Sequence, residues 1–159
     1  YINTADQNFA EVNTIFRSIF TKLHIFNLTQ YEKILFMDLD MLVLKNMDHL
    51  FEMEAPAAKF RRSGMTKGER CPDDFIKLIK NEETGFDEVS GGINAGMMLL
   101  EPNAIQYNQM ILELKSPLPY KVHEPEQDYL SYRFRSEWRH IPREYNFQPL
   151  LENLYDPYQ

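Results

Sequence analysis

The stretch KILFMDLDMLVLKN, residues 33 to 46, sets two aspartates, Asp38 and Asp40, into the end of an apolar run. Burying one unpaired carboxylate costs several kcal/mol, roughly, and a second of like charge costs more. A cation is the simplest compensation. Side chains two apart on an extended segment point to the same side, so the two carboxylates share a face. Two hard oxygen ligands with no nearby Cys or His suit Mg²⁺ or Mn²⁺ better than zinc. Such an ion bridges the phosphates of a nucleotide and, as a Lewis acid, stabilises a departing diphosphate. The competing reading is an ordinary acidic pair at a strand end, solvated or capping the next turn, because a bare D-x-D is common.

Three further groups invite chemistry. In GGINAG, residues 91 to 96, glycines let a backbone approach a ligand closely, and Asn94 offers a donor and an acceptor that suit sugar hydroxyls. A tight turn before a strand explains the same residues. In EPEQDYL, residues 124 to 130, Glu126, Gln127 and Asp128 stand at a helix start. Carboxylates are favourable there as partners of the helix dipole, so capping alone accounts for them. The functional reading is a carboxylate and an amide presented to a ligand at the edge of a sheet. Lys22 sits between Thr21 and Leu23 on an otherwise apolar helix. It is either solvated, with its stem along the surface, or a phosphate partner if that helix borders the cleft.

The elements that must position these groups follow from periodicity. In residues 10 to 26, Val12, Ile15, Phe16, Ile19, Phe20, Leu23 and Phe26 recur at three- and four-residue spacing, which predicts a core-facing helix. KILFM, residues 33 to 37, reads as a strand buried on both faces of a parallel sheet, and APAAKF, residues 55 to 60, as the next strand. A helical turn falls in LKNMDHLF between them. Residues 61 to 74 hold Gly64, Gly68 and Pro72 and predict a loop. DDFIKLIKNEE predicts a helix with an aspartate cap. SGGINAGMMLLEPN predicts a glycine-rich turn, a strand, and a helix beginning near Pro102 and running to about Lys115. EQDYLSYRFRSEW predicts a helix and RHIP a short strand. Strands alternating with helices indicate an α/β protein with a mostly parallel sheet, and ligands of such sheets bind at the carboxyl ends of the strands.

Composition bounds the rest. The chain has 159 residues, a net charge of −7 and a pI of about 5.1. It fits one domain, and its acidity argues against nucleic acid or an anionic membrane as the main partner. No apolar run approaches the ~20 residues of a membrane span. The lone Cys71 forms no internal disulfide, which points to a cytoplasmic setting and away from structural zinc. N-L-T at 27 to 29 matches a glycosylation acceptor but falls at a helix end in a chain without a secretion signal. A start at Tyr1 and an end at LYDPYQ lead us to expect a piece of a longer polypeptide.

TKLHIFNLTQYEKILFMDLDMLVLKNMDHLFE, residues 21 to 52, closely resembles a segment of glycosyltransferase family eight, the glycogenin-like enzymes, its T-K-L-H, L-T-Q-Y, F-M-D-x-D and N-M-D-x-L-F elements in order without gaps. INAGMMLLEPN, EQDYLSYRF and IPREYN resemble later blocks, so the likeness covers most of residues 16 to 147. The resemblance implies a GT-A fold with a mixed, mostly parallel sheet, here the central portion of the catalytic domain, incomplete at both ends. It implies retaining transfer of a hexose from a UDP-sugar to a carbohydrate or protein acceptor, with Mn²⁺ as cofactor and Mg²⁺ as the alternative. By position, Asp38 and Asp40 would bind the metal, with Asp38 also touching the donor ribose. Lys22, Leu39, Asn94, Ala95 and Gly96 would contact the donor, and Glu126 and Gln127 would stand at the reacting face of the sugar. Glu126 and Asp128 depart from the family's usual aspartate and glycine. The family's base-binding first strand and its later H-x-x-G-x-x-K-P-W segment, source of a third metal ligand, do not occur in this chain. A non-catalytic module that keeps the fold for binding is the alternative, and a homodimer or larger assembly would cover an exposed sheet edge. Self-glycosylation would need a tyrosine such as Tyr155 or Tyr158, neither of which the sequence singles out.

Overall fold

The computed structural model describes residues 14–61 and 64–148. Four strands form the central sheet in the order β1 (Ile34–Met37), β5 (Ile93–Leu100), β2 (Ala57–Phe60), β6 (Arg139–His140). Strands β3 (Lys77–Lys80) and β4 (Asp87–Ser90) make a separate antiparallel hairpin. Helices α1 (Ala104–Leu114) and α2 (Pro125–Arg133) pack with an N-terminal 3-10 helix, Thr14–Asn27. A short 3-10 turn, Asp48–Glu52, fills the place expected for LKNMDHLF.

Both faces of the sheet are buried. On one face Ala95, Met98 and Leu100 meet Phe20, Leu23, Phe26, Leu130 and Trp138, while Met97 and Leu99 meet Leu50, Ala57 and Ile141 on the other. β5 is therefore the apolar spine, as its GMMLL run requires. Asn103 starts α1 by accepting from the N–H groups of Ile105 and Gln106, both at 3.0 Å, the geometry of an N-cap.

Three sequence expectations need correction. The helix read over DDFIKLIKNEE is instead β3. Asn81 stops it: its side-chain oxygen accepts from Glu83 and Thr84 N–H at 2.9 and 3.1 Å, and Gly85 turns the chain at φ 73°. A local side-chain turn thus overrides helix periodicity. Second, the fold is α/β with a mixed sheet, yet among the described residues only β2–β6 is parallel, while β1–β5 and β2–β5 are antiparallel. A helix–strand alternation predicted parallel crossovers, but a hairpin replaces one of those helices, and a short apolar run does not report strand direction. β1 accordingly pairs only with β5 among the described residues and is half-buried. Third, the first helix winds as 3-10 over Thr14–Asn27, residues 10 to 13 lying outside the described part. Its buried Phe20, Leu23 and Phe26 stand three apart, the spacing that eclipses on a three-residue turn.

Candidate active site

The site begins with a defect in β5. Ala57 and Ala58 of β2 pair with Leu99 and Met98, but Lys59 and Phe60 pair with Asn94 and Ile93. Ala95, Gly96 and Met97 are thereby released from the β2 ladder, while β1 still tracks β5 regularly through Met37–Met97. Irregularities of this kind re-aim groups next to functional sites. The freed Ala95 N–H donates to Gln127 Oε1 at 2.6 Å, and Gly96 N–H donates to Asn94 Oδ1 at 2.9 Å. Gly96 C=O accepts from Asp38 N–H at 2.8 Å, so β1 delivers Asp38 to the same place.

Gly96 is glycine for a reason of space. A Cβ there would lie 3.0 Å from Asn94 Oδ1, 3.4 Å from Asn146 Nδ2 and 3.5 Å from Asp38 Oδ2. Its absence lets three polar side chains converge.

Around this point opens a cavity of about 440 Å³, lined by Lys22, Asp38, Asp40, Asn94, Gly96, Glu126 and Gln127, together with Met41, Glu124, Asn146, Phe147 and Gln148. Lys22 Nζ stands 2.7 Å from Glu126 Oε1 and 3.1 Å from Asp38 Oδ1, bridging residues from the first helix, β1 and α2. Burial lowers the tendency of this ammonium to stay charged, but pairing with Glu126 and Asp38 outweighs it and holds Lys22 above its ordinary range. It is a cation at neutral pH. Asn94 is clamped by amides: Asn146 Nδ2 donates to its Oδ1 at 2.8 Å, and its Nδ2 donates to Gln148 Oε1 at 3.2 Å.

Most sequence-predicted site residues meet here; two do not present side chains to the cavity. Leu39 is fully exposed, and the Ala95 methyl is buried in the core while its N–H serves the site. Asn146 and Gln148 went unrecognised as site residues. Asn146 lies inside IPREYN, a signal that would have found it, whereas Gln148 carries none.

The fit to a divalent cation is open-sided. Asp38 and Asp40 both line the cavity, and among the described residues no three His, Cys, Asp or Glu side chains group as a metal cluster. Lys22 already holds Asp38, at 3.1 Å from Oδ1 and 3.4 Å from Oδ2, so a hard ion between Asp38 and Asp40 would share Asp38 with that ammonium and take its remaining oxygens from water and phosphate.

The sequence model described as glycosyl transferase family 8 matches residues 3–159. The chain belongs to glycosyl transferase family 8. An uncharacterized protein of Acanthamoeba polyphaga mimivirus is 40% identical over 149 residues, covering 93% of this chain and 50% of that protein. Galactinol synthase 2 of Solanum lycopersicum is 30% identical over 142 residues, 80% of this chain and 40% of that enzyme. Inositol phosphorylceramide glucuronosyltransferase 1 of Arabidopsis thaliana is 29% identical over 107 residues, 67% of this chain and 15% of that protein. The chain spans half or less of the length of these curated relatives. Membership in family 8 carries the GT-A fold, of which the described residues form an α/β part with a mixed sheet. No helix of the described residues is long and apolar enough to cross a membrane.

Proposed function

We propose that the chain is the central part of the catalytic domain of a retaining glycosyltransferase, transferring a hexosyl group from a UDP-sugar to a carbohydrate or protein acceptor with Mn²⁺, or Mg²⁺ in its stead. One observation carries the reading: Lys22, Asp38, Asp40, Asn94, Glu126 and Gln127, drawn from separate elements, line one cavity. The relatives named as a galactinol synthase and a glucuronosyltransferase agree with it.

In this reading Asp38 and Asp40 hold the cation, which when bound would neutralise the diphosphate as a Lewis acid. Lys22 supplies a second, permanent positive charge beside it. The ammonium is pre-oriented by Asp38 and Glu126, so it loses little freedom on meeting an anionic donor. Asn94, immobilised by Asn146 and Gln148, faces the sugar hydroxyls, with Ala95 and Gly96 bringing the backbone close. Leu39 contributes backbone between the two aspartates. Glu126 and Gln127 stand at the reacting face. Glu126 is the carboxylate available to a double displacement, while a same-face route would use it to stabilise a cation-like sugar. A cytoplasmic setting and a homodimer or larger assembly complete the proposal.

The test is turnover of UDP-sugars with Mn²⁺ by the full-length protein, and its Asp40→Ala variant. Loss of at least ~10²-fold in kcat on Asp40→Ala is expected, the scale on which metal and charge-stabilising groups act. No turnover in the wild type, and no change on Asp40→Ala, would sink the transferase and leave the binding module.

A further inference from the structure

One charged cluster, which reaches the cavity only through Glu124, has no place in that scheme. Arg61 follows the end of β2. Its Nη2 lies 2.8 Å from Asp128 Oδ1 and 3.1 Å from Glu124 Oε2. Its Nε donates to Ile93 C=O at 2.9 Å, and its backbone N–H to Gly92 C=O at 2.8 Å. Asp128 is buried, and its second oxygen accepts from the N–H groups of His123 and Glu124 at 2.9 and 3.0 Å. Glu124, at the N-cap of α2, makes no capping bond with its own side chain. Asp128 thus ties the backbone of His123 and Glu124, the two residues just before α2, to the helix's first turn. Glu124 instead accepts from the Gln127 amide, whose oxygen in turn accepts from Ala95 N–H.

We propose that Arg61 is a positioning residue: by gripping Asp128 and Glu124 together, it locks the first turn of α2, and with it Glu126 and Gln127, against the irregular part of β5. The proposal rests on the reading of this cavity as a donor site. The guanidinium suits the task because its donors are fixed in one plane: Nη2 meets both carboxylates while Nε, on another side of the plane, holds the Ile93 carbonyl. Without Arg61, the buried Asp128 carboxylate loses its only cation among the described contacts, and the Gln127–Glu124 link loses its anchor.

The test uses the full-length protein as wild type, Arg61→Gln, Arg61→Lys and the double variant Arg61→Gln/Asp128→Asn. Amide hydrogen exchange is followed at Ala95, His123 and Glu124, alongside steady-state kinetics with UDP-sugar and Mn²⁺. In Arg61→Gln, kcat is expected to fall about 10²-fold with donor KM within about twofold, the cost of an ångström-scale misplacement. Protection at Ala95 and His123 falls in the same variant. The double variant, free of a lone buried charge, regains melting temperature but not kcat. Wild-type protection and kcat in Arg61→Gln overturn the proposal, as does a kcat loss that the double variant restores together with stability. If Arg61→Gln fails to fold, Arg61→Lys takes its place: a fall in kcat and in Ala95 protection supports the clamp, and wild-type values of both overturn it. A wild type without turnover sinks the transferase reading alone, and exchange at Ala95 still decides the role of Arg61.

Discussion

Lys22 shows how much one side chain can be asked to hold. It neutralises Asp38 and Glu126 at once, and Glu126 is nearly inaccessible to solvent. Removing the ammonium would leave that carboxylate buried and unpaired, a loss on the order of 3 kcal/mol for a pair of this kind. Lys22→Ala is therefore expected to shift the urea midpoint clearly downward, and to weaken UDP binding measured by calorimetry. Lys22→Met is a sharper probe, since it keeps the stem and deletes only the charge. The pH dependence has a definite sign. A cation whose folded pKa is raised stabilises fully below its unfolded value, here the ordinary 10.5, and loses that contribution as pH rises through the folded value. The wild-type and Lys22→Met unfolding curves should thus stay separated through neutral pH and converge only in strong alkali. Convergence near pH 7 would contradict the charged assignment.

At the scale of elements, the three-residue offset between β2 and β5 is what turns a strand into a binding wall. It frees the N–H groups of Ala95 and Gly96 for Gln127 and Asn94, and leaves Gly96 facing three polar side chains. Gly96→Ala should fold, because the nearest atom to the new methyl is a side-chain oxygen at 3.0 Å and not backbone. It should nevertheless push Asn94 and Asn146 apart by a few tenths of an ångström and raise the donor KM about tenfold. An unchanged donor KM in Gly96→Ala would mean that the offset does not shape the donor site. Gly91 differs in kind. It sits at φ 77° with its absent Cβ 2.1 Å from the Phe75 carbonyl oxygen, so its role is to let the chain turn between β4 and β5 at all.

For the whole molecule, the order β1-β5-β2-β6 leaves β1 with one partner among the described residues, and Leu39, Leu42 and Leu44 beyond it are highly exposed. An unpaired edge beside apolar side chains invites association. The 159-residue chain produced alone is expected to sediment as dimers or larger species at micromolar concentration. A stable, well-folded monomer across that range would count against the assembly we propose. Net charge of −7 favours solubility of whatever forms, but it does not cover an edge.

Much of the fold is legible along the chain. The β5 strand, the Asn103-capped α1, the α2 start and the D-x-D strand end are local patterns, set by apolar spacing, caps and turn residues that act within a few positions. Family resemblance added Lys22, Asn94, Glu126 and Gln127 as one group. The hairpin at 77 to 90 escaped because KLIK fits either period and Asn81 settled the matter through its own side chain. The pairing of Arg61 with Asp128 escaped for another reason. The two are 67 residues apart, and a charge pair leaves no spacing signal until packing brings its members to 2.8 Å. Strand direction, the offset in β5 and the clamp on α2 are likewise relations between distant segments. Residue types carry the chemistry; which of them share one cavity is fixed by long-range packing, because only burial and hydrogen-bond satisfaction in three dimensions choose among the pairings that the chain allows.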